Sequence, residues 1–380
     1  MPAVRRLIAA ILAAVLAAPT TAATPLDFTP AELARIASHG PWPPAPRRDP
    51  SNKVDGQPAA IVFGHTLFFD PGLSLNGRLS CAGCHLPGQG FQDGRAVALG
   101  LTTGVRNTPG LFDAGGRRWL GWDGAFDSLW AASLAPMLAA GEMGGRLETL
   151  AARVRDDTAP GGLGQRYRAV FGVPGADEAV VVDLAKAMAA WLTTLVSPRS
   201  PFDHFRDALL NGDKESAARF PVDAQRGLRL FIGKANCAVC HAGPRFSNGE
   251  FADIGVPFFV PGGVDSGRHG GLQRLLASRY NRLGEFSDAL PGDASATGTR
   301  HVLQAHRHFG EFRVPTLRGL LSTAPYMHDG SLTTLESVVQ HYSALNEERL
   351  HADGERILRP LRLDAEKAAD LLAFLRSLSR

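Results

Sequence analysis

The chain has 380 residues, of which 44% are hydrophobic and 20% are charged, and its formal net charge is +3. This size and composition are sufficient for one large hydrophobic core or for two ordinary ones. The nearly balanced charge gives no electrostatic basis for binding nucleic acid, so we exclude that class of partner.

The N-terminus has the three parts of a secretory signal. Arg5 and Arg6 precede an apolar run over residues 7–18, and small residues follow as far as Ala22 or Ala23. The run is shorter than the roughly 20 residues that a membrane-spanning helix needs. We therefore expect residues 1–23 to be a signal peptide, and the mature protein to be soluble and periplasmic without a membrane span.

Helix signals recur along the first half of the chain. Thr29-Pro30-Ala31-Glu32 is a capping box with proline at the first helical position. Residues 64–74 predict a short helix that turns into a loop, and apolar periodicity predicts helices over residues 128–140 and 179–196. Residues 86–121 are rich in glycine and turn residues, which is typical of backbone that wraps a cofactor.

Two motifs of the form Cys-x-x-Cys-His use all four cysteines of the chain: Cys81-Ala82-Gly83-Cys84-His85 and Cys237-Ala238-Val239-Cys240-His241. The two thiols of such a motif bind a c-type haem covalently, and the histidine binds its iron. A zinc site or a redox dithiol would not explain a histidine directly after each pair. We therefore predict two covalently bound haems c, with His85 and His241 each binding one iron.

The second half begins after residues 197–221, which carry prolines and charges and mark the predicted domain junction. An amphipathic segment over residues 224–231 leads into the second motif, and a helix over residues 364–379 closes the chain. A helix before the motif and another at the end are typical of a small cytochrome c unit. We predict a mostly α fold with long loops and two cytochrome c-like domains, at residues 24–210 and 211–380.

The ligand on the far face of each haem separates an electron carrier from a catalyst. Residues 86–134 contain no His and no Met, so we expect the first iron to be accessible to peroxide, although a ligand from distant sequence stays open. Four residues are candidate ligands of the second iron: Met327, His328, His341 and Tyr342. Three further histidines lie in a polar run, where we expect contact with solvent or a propionate and not with a metal: His301, His306 and His308.

Several short segments, in this order and spacing, carry a resemblance to a known family. They are Leu67-Phe68-Phe69-Asp70-Pro71, the two haem motifs, Arg106-Asn107-Thr108-Pro109, Trp122-Asp123-Gly124, Pro136, Glu142-Met143, Pro315-Thr316-Leu317-Arg318 and Pro325-Tyr326-Met327-His328-Asp329-Gly330. Over nearly the whole mature length, the chain resembles the bacterial di-haem cytochrome c peroxidases, and in particular their MauG-like branch.

The resemblance implies a catalytic set of Glu142, Trp122 and Pro136. Glu142 matches the carboxylate above the peroxidatic haem, where a carboxyl group can move the proton that O–O cleavage requires. Trp122 matches a tryptophan that relays electrons between the haems. Without the family, Glu142 would read as a surface carboxylate and Trp122 as a core aromatic residue.

The resemblance also implies further metal ligands. Asn107, Thr323 and Pro325 match positions that hold a calcium ion between the two domains through one amide oxygen and two carbonyl oxygens, and such donors suit calcium. Fourteen residues after His328, the electron-storing peroxidases have Met and the MauG-like branch has Tyr; here the residue is Tyr342. An anionic phenolate ligand implies a second haem of low potential.

Three positions depart from other members of the family. Leu101 stands near the place of the displaceable histidine of reductively activated peroxidases, which implies direct reaction from the all-ferric state. Ala132 replaces a frequent glutamine, so the hydrogen bonds around peroxide must differ. Ala235 replaces a tryptophan that draws electrons from a protein substrate within the MauG-like branch.

We therefore expect a periplasmic di-haem peroxidase that reduces hydrogen peroxide with electrons from a small cytochrome c or a cupredoxin. One alternative, favoured by Tyr342, is MauG-like oxidation of Trp or Tyr side chains in a partner protein. A second alternative is a non-catalytic di-haem electron carrier, which would need strong ligands on both faces of both irons.

Overall fold

The computed structural model describes residues 26–354 and 357–380. The predicted signal peptide, residues 1–23, lies outside these ranges. Among the helices described here, none combines the length and the apolar character that a membrane span requires.

The fold is mostly helical, as predicted. The helices are α1 (Pro30–Ser38), α2 (Pro58–Phe68), α3 (Cys81–Cys84), α4 (Leu129–Leu138), α5 (Leu147–Asp156), α6 (Leu163–Phe171), α7 (Asp177–Leu192), α8 (Pro201–Leu210), α9 (Lys214–Ala217), α10 (Val222–Ile232), α11 (Arg268–Ala277), α12 (Thr297–His301), α13 (Leu335–Ser343) and α14 (Ala365–Arg376). Two antiparallel pairs of two-residue strands accompany them: β1 (Phe251–Ala252) pairs with β4 (Phe312–Arg313), and β2 (Phe259–Val260) pairs with β3 (Gly263–Val264).

Local capping signals fix several of these helices. The predicted capping box of α1 is present, because the Thr29 hydroxyl accepts from the Glu32 amide and the Glu32 carboxylate accepts from the Thr29 amide. The Ser128 hydroxyl accepts from the Ala131 amide at the start of α4, and the Asp364 carboxylate accepts from the Lys367 amide at the start of α14. Both of these helices begin and end close to the predicted positions.

The predicted change from helix to loop within residues 64–74 is present, but the helix begins earlier than predicted. The helix α2 begins at Pro58 and ends at Phe68, and a 3-10 turn over Pro71–Leu73 follows. Gly64 therefore lies inside the helix, where a Cβ atom would come within 2.0 Å of the Ala187 carbonyl oxygen. The glycine permits close packing of α2 on α7, and sequence alone cannot show that contact.

A first hydrophobic core forms around α7. Its apolar stripe, which the periodicity predicted, packs against α2, α4 and α5. The largest side chains of this core that are almost fully buried include Phe63, Phe68, Trp130 and Tyr167. This core provides the wall against which the first haem motif lies, since Cys81 and Ala82 pack on it.

A second hydrophobic core forms where α10 packs on α14. Ile36 of α1 and Phe202 and Phe205 of α8 are buried in this same core. The domain boundary at residue 210 remains a prediction, but this packing favours an earlier one, because α1 and α8 both join the second core. Prolines and charges mark a loop without showing which core the neighbouring phenylalanines fill.

Candidate haem sites and active site

The first haem motif forms a short helical turn, α3, followed by His85. The Nδ1 atom of His85 lies 2.9 Å from the Phe91 carbonyl oxygen. A carbonyl oxygen only accepts, so Nδ1 carries the hydrogen and Nε2 keeps its lone pair. Burial also lowers the pKa of His85. The ring is therefore neutral, and Nε2 is available to a haem iron.

The second motif repeats this arrangement. A 3-10 turn over Cys237–Val239 precedes His241, whose Nδ1 atom lies 3.0 Å from the Phe246 carbonyl oxygen. Burial lowers the pKa of His241 to about 4. Both histidines thus present a neutral imidazole with a free Nε2 atom, which is the form that ligates iron.

A cavity of about 750 Å³ lies beside the second motif. Its volume falls in the range of protein sites that hold cofactors. Apolar side chains from α10, α13 and α14 form much of its wall: Phe231, Leu335, Val338, Val339, Leu371 and Leu375. The cavity also brings together predicted site residues from distant parts of the chain: Asn107, Trp122, Cys237, Cys240, His241, Thr323, Pro325 and Tyr342. The volume and the apolar lining of this cavity are compatible with a haem bound to this motif.

Two candidate ligands of the second iron, adjacent in α13, face different surroundings. Tyr342 lines the cavity, and its hydroxyl has no hydrogen-bond partner within the described residues. Burial, together with the Cys237 and Cys240 thiols, raises the pKa of this phenol. His341 instead places its Nε2 atom 2.8 Å from the Ile254 carbonyl oxygen and lines a different cavity. The geometry favours Tyr342 over His341.

The other two candidates precede α13. Met327 and His328 both line the cavity. The His328 ring is buried and stacks on Phe312, with 3.4 Å between the ring centroids, and burial lowers the pKa of His328 to about 4. This stacking gives His328 a packing role, so Met327 is the remaining rival of Tyr342.

Trp122 connects the wall of this cavity with the loop around His85. Its indole Nε1 atom donates to the Asn107 carbonyl oxygen over 2.8 Å. Pro109, two residues further along, places its carbonyl against the His85 ring. One short stretch of chain therefore contacts both Trp122 and the first haem ligand.

Arg313, which the sequence analysis missed, is a buried cation on the cavity wall. Its exposed fraction is 5%, and burial, with the nearby Arg117, lowers its pKa to about 9. Its Nε atom donates to the Gly121 carbonyl oxygen over 3.1 Å, and within the described residues no carboxylate forms an ion pair with it. A buried cation is costly without an anion, and haem propionates would supply one here. A single arginine in the sequence carries no signal of this role.

Glu142 lies in the turn after α4, next to the first motif. Its amide donates to the Ala139 carbonyl oxygen over 3.0 Å, and its own carbonyl oxygen accepts from the Leu101 amide over 2.9 Å. The carboxyl group makes no hydrogen bond within the described part of the chain. Although one side of it is exposed, the atoms packed around the carboxyl raise its pKa. Burial, with the negative charges of Asp93 and Glu142, also raises the pKa of the Cys84 thiol.

Pro136 shapes the same turn from inside α4. A proline has no amide hydrogen to donate to the Ala132 carbonyl oxygen, so the helical ladder is interrupted there. The Pro136 carbonyl oxygen accepts from the Met143 amide over 3.1 Å. This bond joins the end of α4 to the residue after Glu142, which gives Pro136 a place in the positioning of Glu142.

The three residues expected at a calcium ion all line the large cavity. The Asn107 side chain donates through Nδ2 to the Arg95 carbonyl oxygen over 2.7 Å, so its Oδ1 atom remains available. Among the described residues, no hydrogen bond reaches this oxygen or the carbonyl oxygens of Thr323 and Pro325. Three oxygen donors without partners fit a hard cation such as calcium.

The chain is similar in sequence to several known proteins. A family model described as di-haem cytochrome c peroxidase matches residues 58–214. The methylamine utilization protein MauG of Methylorubrum extorquens is 35% identical over 324 residues, which cover 84% of this chain and 78% of the relative. The cytochrome-c peroxidase IdrP1 of Denitromonas iodatirespirans is 33% identical over 379 residues, which cover 98% and 92% of the two chains.

Solved structures show the same fold. A MauG-like protein associated with microbial copper homeostasis is similar with a TM-score of 0.67 and 27% identity, over 90% of this chain and 95% of that chain. The di-haem peroxidase BthA from Burkholderia thailandensis has a TM-score of 0.67 at 22% identity, over 88% and 89% of the two chains, which supports the fold alone. The chain therefore belongs to the di-haem cytochrome c peroxidase family, whose members are oxidoreductases with two haems c.

Proposed function

We propose that the protein is a periplasmic di-haem peroxidase that reduces hydrogen peroxide to water with electrons from a small cytochrome c or a cupredoxin. The observation that carries this proposal is Glu142, a carboxyl group beside the first haem motif with a raised pKa and, within the described residues, no hydrogen-bond partner. Such a group is free to exchange a proton with a small ligand. The periplasmic location rests on the predicted signal peptide.

The reaction consumes two electrons and two protons for each peroxide and yields two water molecules. When bound, the haems supply iron that binds peroxide and passes electrons between the two sites. The ionised Glu142 carboxylate would accept a proton from one peroxide oxygen and deliver it to the other, so that cleavage of the O–O bond releases this second oxygen as water. The two electrons and two protons that the reaction consumes would convert the first oxygen to the second water molecule. Because its side chain has no competing partner among the described residues, Glu142 can turn toward either oxygen.

Several residues around the two haem motifs would orient the histidine ligands, carry electrons between the sites and balance charge. The Phe91 and Phe246 carbonyl oxygens hold the rings of His85 and His241 with Nε2 free for iron. We assign the electron path between the two sites to Trp122. This residue lines the cavity beside the second haem motif, and its hydrogen bond to Asn107 connects it to the loop near His85. Arg313 would balance the negative charge of the propionates.

A second candidate function is the oxidation of Trp or Tyr side chains in a partner protein. Tyr342 favours it, because this residue lines the cavity beside the second haem motif and its hydroxyl has no hydrogen-bond partner among the described residues. A phenolate ligand there would stabilise the oxidised states of the second haem. Ala235 argues for a different electron route from the substrate than the tryptophan expected within the MauG-like branch.

The decisive experiment mixes the all-ferric holoprotein with hydrogen peroxide and then adds a reduced small cytochrome c. Peroxide consumption without prior reduction, with two cytochromes oxidised for each peroxide, supports the proposed peroxidase. Fast reaction with peroxide but slow oxidation of the cytochrome favours the protein-oxidising alternative. If the all-ferric protein does not react until one haem is reduced, the first iron carries a sixth ligand, and a reductively activated peroxidase or an electron carrier replaces both hypotheses.

A further inference from the structure

Two histidines and an aspartate form a cluster on a loop surface outside both haem sites. His306 lies in a 3-10 turn over His306–His308, and His351 and Asp353 follow the 3-10 turn over Glu347–Arg349. Their ligand atoms all lie within 4.8 Å of one another. Within residues 26–354 and 357–380, no other group of three or more His, Cys, Asp or Glu side chains is close enough together to share a metal ion.

The contacts inside the cluster leave a nitrogen donor free. The Nδ1 atom of His306 lies 2.9 Å from an Asp353 carboxylate oxygen. An ionised carboxylate only accepts, so Nδ1 donates and the Nε2 atom of His306 keeps its lone pair. The rings of His306 and His351 pack edge to face, with 4.8 Å between their centroids. Both imidazoles therefore border the same small space.

One ligand is anchored and the other two are adjustable. His351 is half-buried, and its amide donates to the Asp253 carboxylate over 2.6 Å. Its Nδ1 atom accepts only a long bond of 3.3 Å from the Asp353 amide. The side chains of His306 and Asp353 are 76% and 63% exposed, so rotation about their side-chain bonds meets little resistance. A fixed ligand with two mobile partners can close around an ion.

We propose that His306, His351 and Asp353 bind a divalent transition-metal ion, with Zn²⁺ as the reference ligand. Two imidazoles and one carboxylate are a donor set that zinc uses together with water. Zinc bonds of about 2.0–2.2 Å place tetrahedral ligand atoms roughly 3.5 Å apart. The ligand atoms of the cluster lie within 4.8 Å of one another, so the exposed side chains of His306 and Asp353 must rotate to exchange their mutual hydrogen bond for the ion and close by about an ångström. Cu²⁺ prefers the same imidazole donors and should bind more tightly.

This assignment replaces the sequence expectation that His306 contacts only solvent or a propionate. The neighbouring His308 accepts from the Ala305 amide through Nδ1 over 3.1 Å, and it is not part of the cluster. The calcium ligands proposed above are all oxygen atoms on the large cavity. The two sites therefore differ in donor chemistry as well as in place, and one can be saturated while the other is titrated.

The test is isothermal titration calorimetry of the holoprotein with Zn²⁺, in a buffer with excess Ca²⁺ that saturates any oxygen-donor site. We expect one Zn²⁺ per chain, and we expect H306A and D353N each to weaken this binding at least about tenfold. H301A is the matched control, because His301 lies in the same polar run but outside the cluster. Its affinity should equal that of the wild type.

Copper gives an independent readout on the same proteins. The electron paramagnetic resonance spectrum of one bound Cu²⁺ should show coupling to imidazole nitrogen, and H351A should reduce that coupling. Absence of zinc binding in the wild type, or equal binding in the wild type and the H306A/H351A double variant, would overturn the proposal. Unchanged haem absorption spectra would show that the variants remain folded; if H351A fails to fold, the exposed His306 still permits the test.

Discussion

Replacing Glu142 by glutamine tests the proposed proton transfer without a change of side-chain size. Glutamine keeps the shape of the side chain but cannot accept and return a proton. The Glu142 carboxyl makes no hydrogen bond among the described residues, and the turn is held by backbone bonds to Ala139 and Leu101. We therefore expect the free energy of unfolding to change by less than about 0.5 kcal/mol.

The expected effect on catalysis is much larger. A positioned general acid-base group contributes about 10²- to 10⁴-fold to the rate, which corresponds to about 3–5 kcal/mol of transition-state stabilisation. Because the ionised carboxylate must accept the first proton, kcat/KM should fall as pH drops through the pKa of Glu142. Surrounding protein atoms raise that pKa above its ordinary value of 4.5. In E142Q this acidic limb of the pH profile should be absent.

The assay is steady-state peroxide reduction with a reduced small cytochrome c, measured across pH for the wild type, E142Q and E148Q. Glu148 is an exposed carboxylate in the first turn of α5, six residues further along, so E148Q makes the same charge change away from the site. A kcat/KM for E142Q within about tenfold of the wild type, with the acidic limb retained, would refute the assignment.

Variants at three further positions test the other assigned residues. Y342M should raise the midpoint potential of the second haem, because a thioether replaces a phenolate; an unchanged potential in spectroelectrochemical titration would point to Met327. W122F should slow electron transfer between the haems in stopped-flow experiments on the half-reduced protein, since it removes the indole and its bond to Asn107; an equal rate would exclude this path. N107A should weaken Ca²⁺ binding by calorimetry, whereas N107D, which keeps an oxygen donor, should retain it; equal affinity of N107A and the wild type would exclude the calcium assignment.

Contiguous patterns in the sequence were sufficient for the haem motifs and for several of the helices. Each haem motif carries its thiols and its histidine within five residues, so its chemistry depends little on distant contacts. The capping box at Thr29 and Glu32 and the apolar stripe of α7 are equally local, and the structure contains both. The start of α2 was predicted wrongly, because the role of Gly64 depends on its contact with Ala187.

Only the tertiary structure decided how residues distant in sequence, or adjacent in one helix, are used. His341 and Tyr342 are neighbours, but successive residues of a helix point about 100° apart, so only Tyr342 faces the large cavity. The proposed role of Arg313 follows from its burial without a carboxylate partner among the described residues, which the sequence alone does not show. His306 and Asp353 are 47 positions apart, and loop packing brings them together. Local sequence specifies covalent chemistry and helix ends, whereas burial and convergence of side chains follow from the packing of the whole chain.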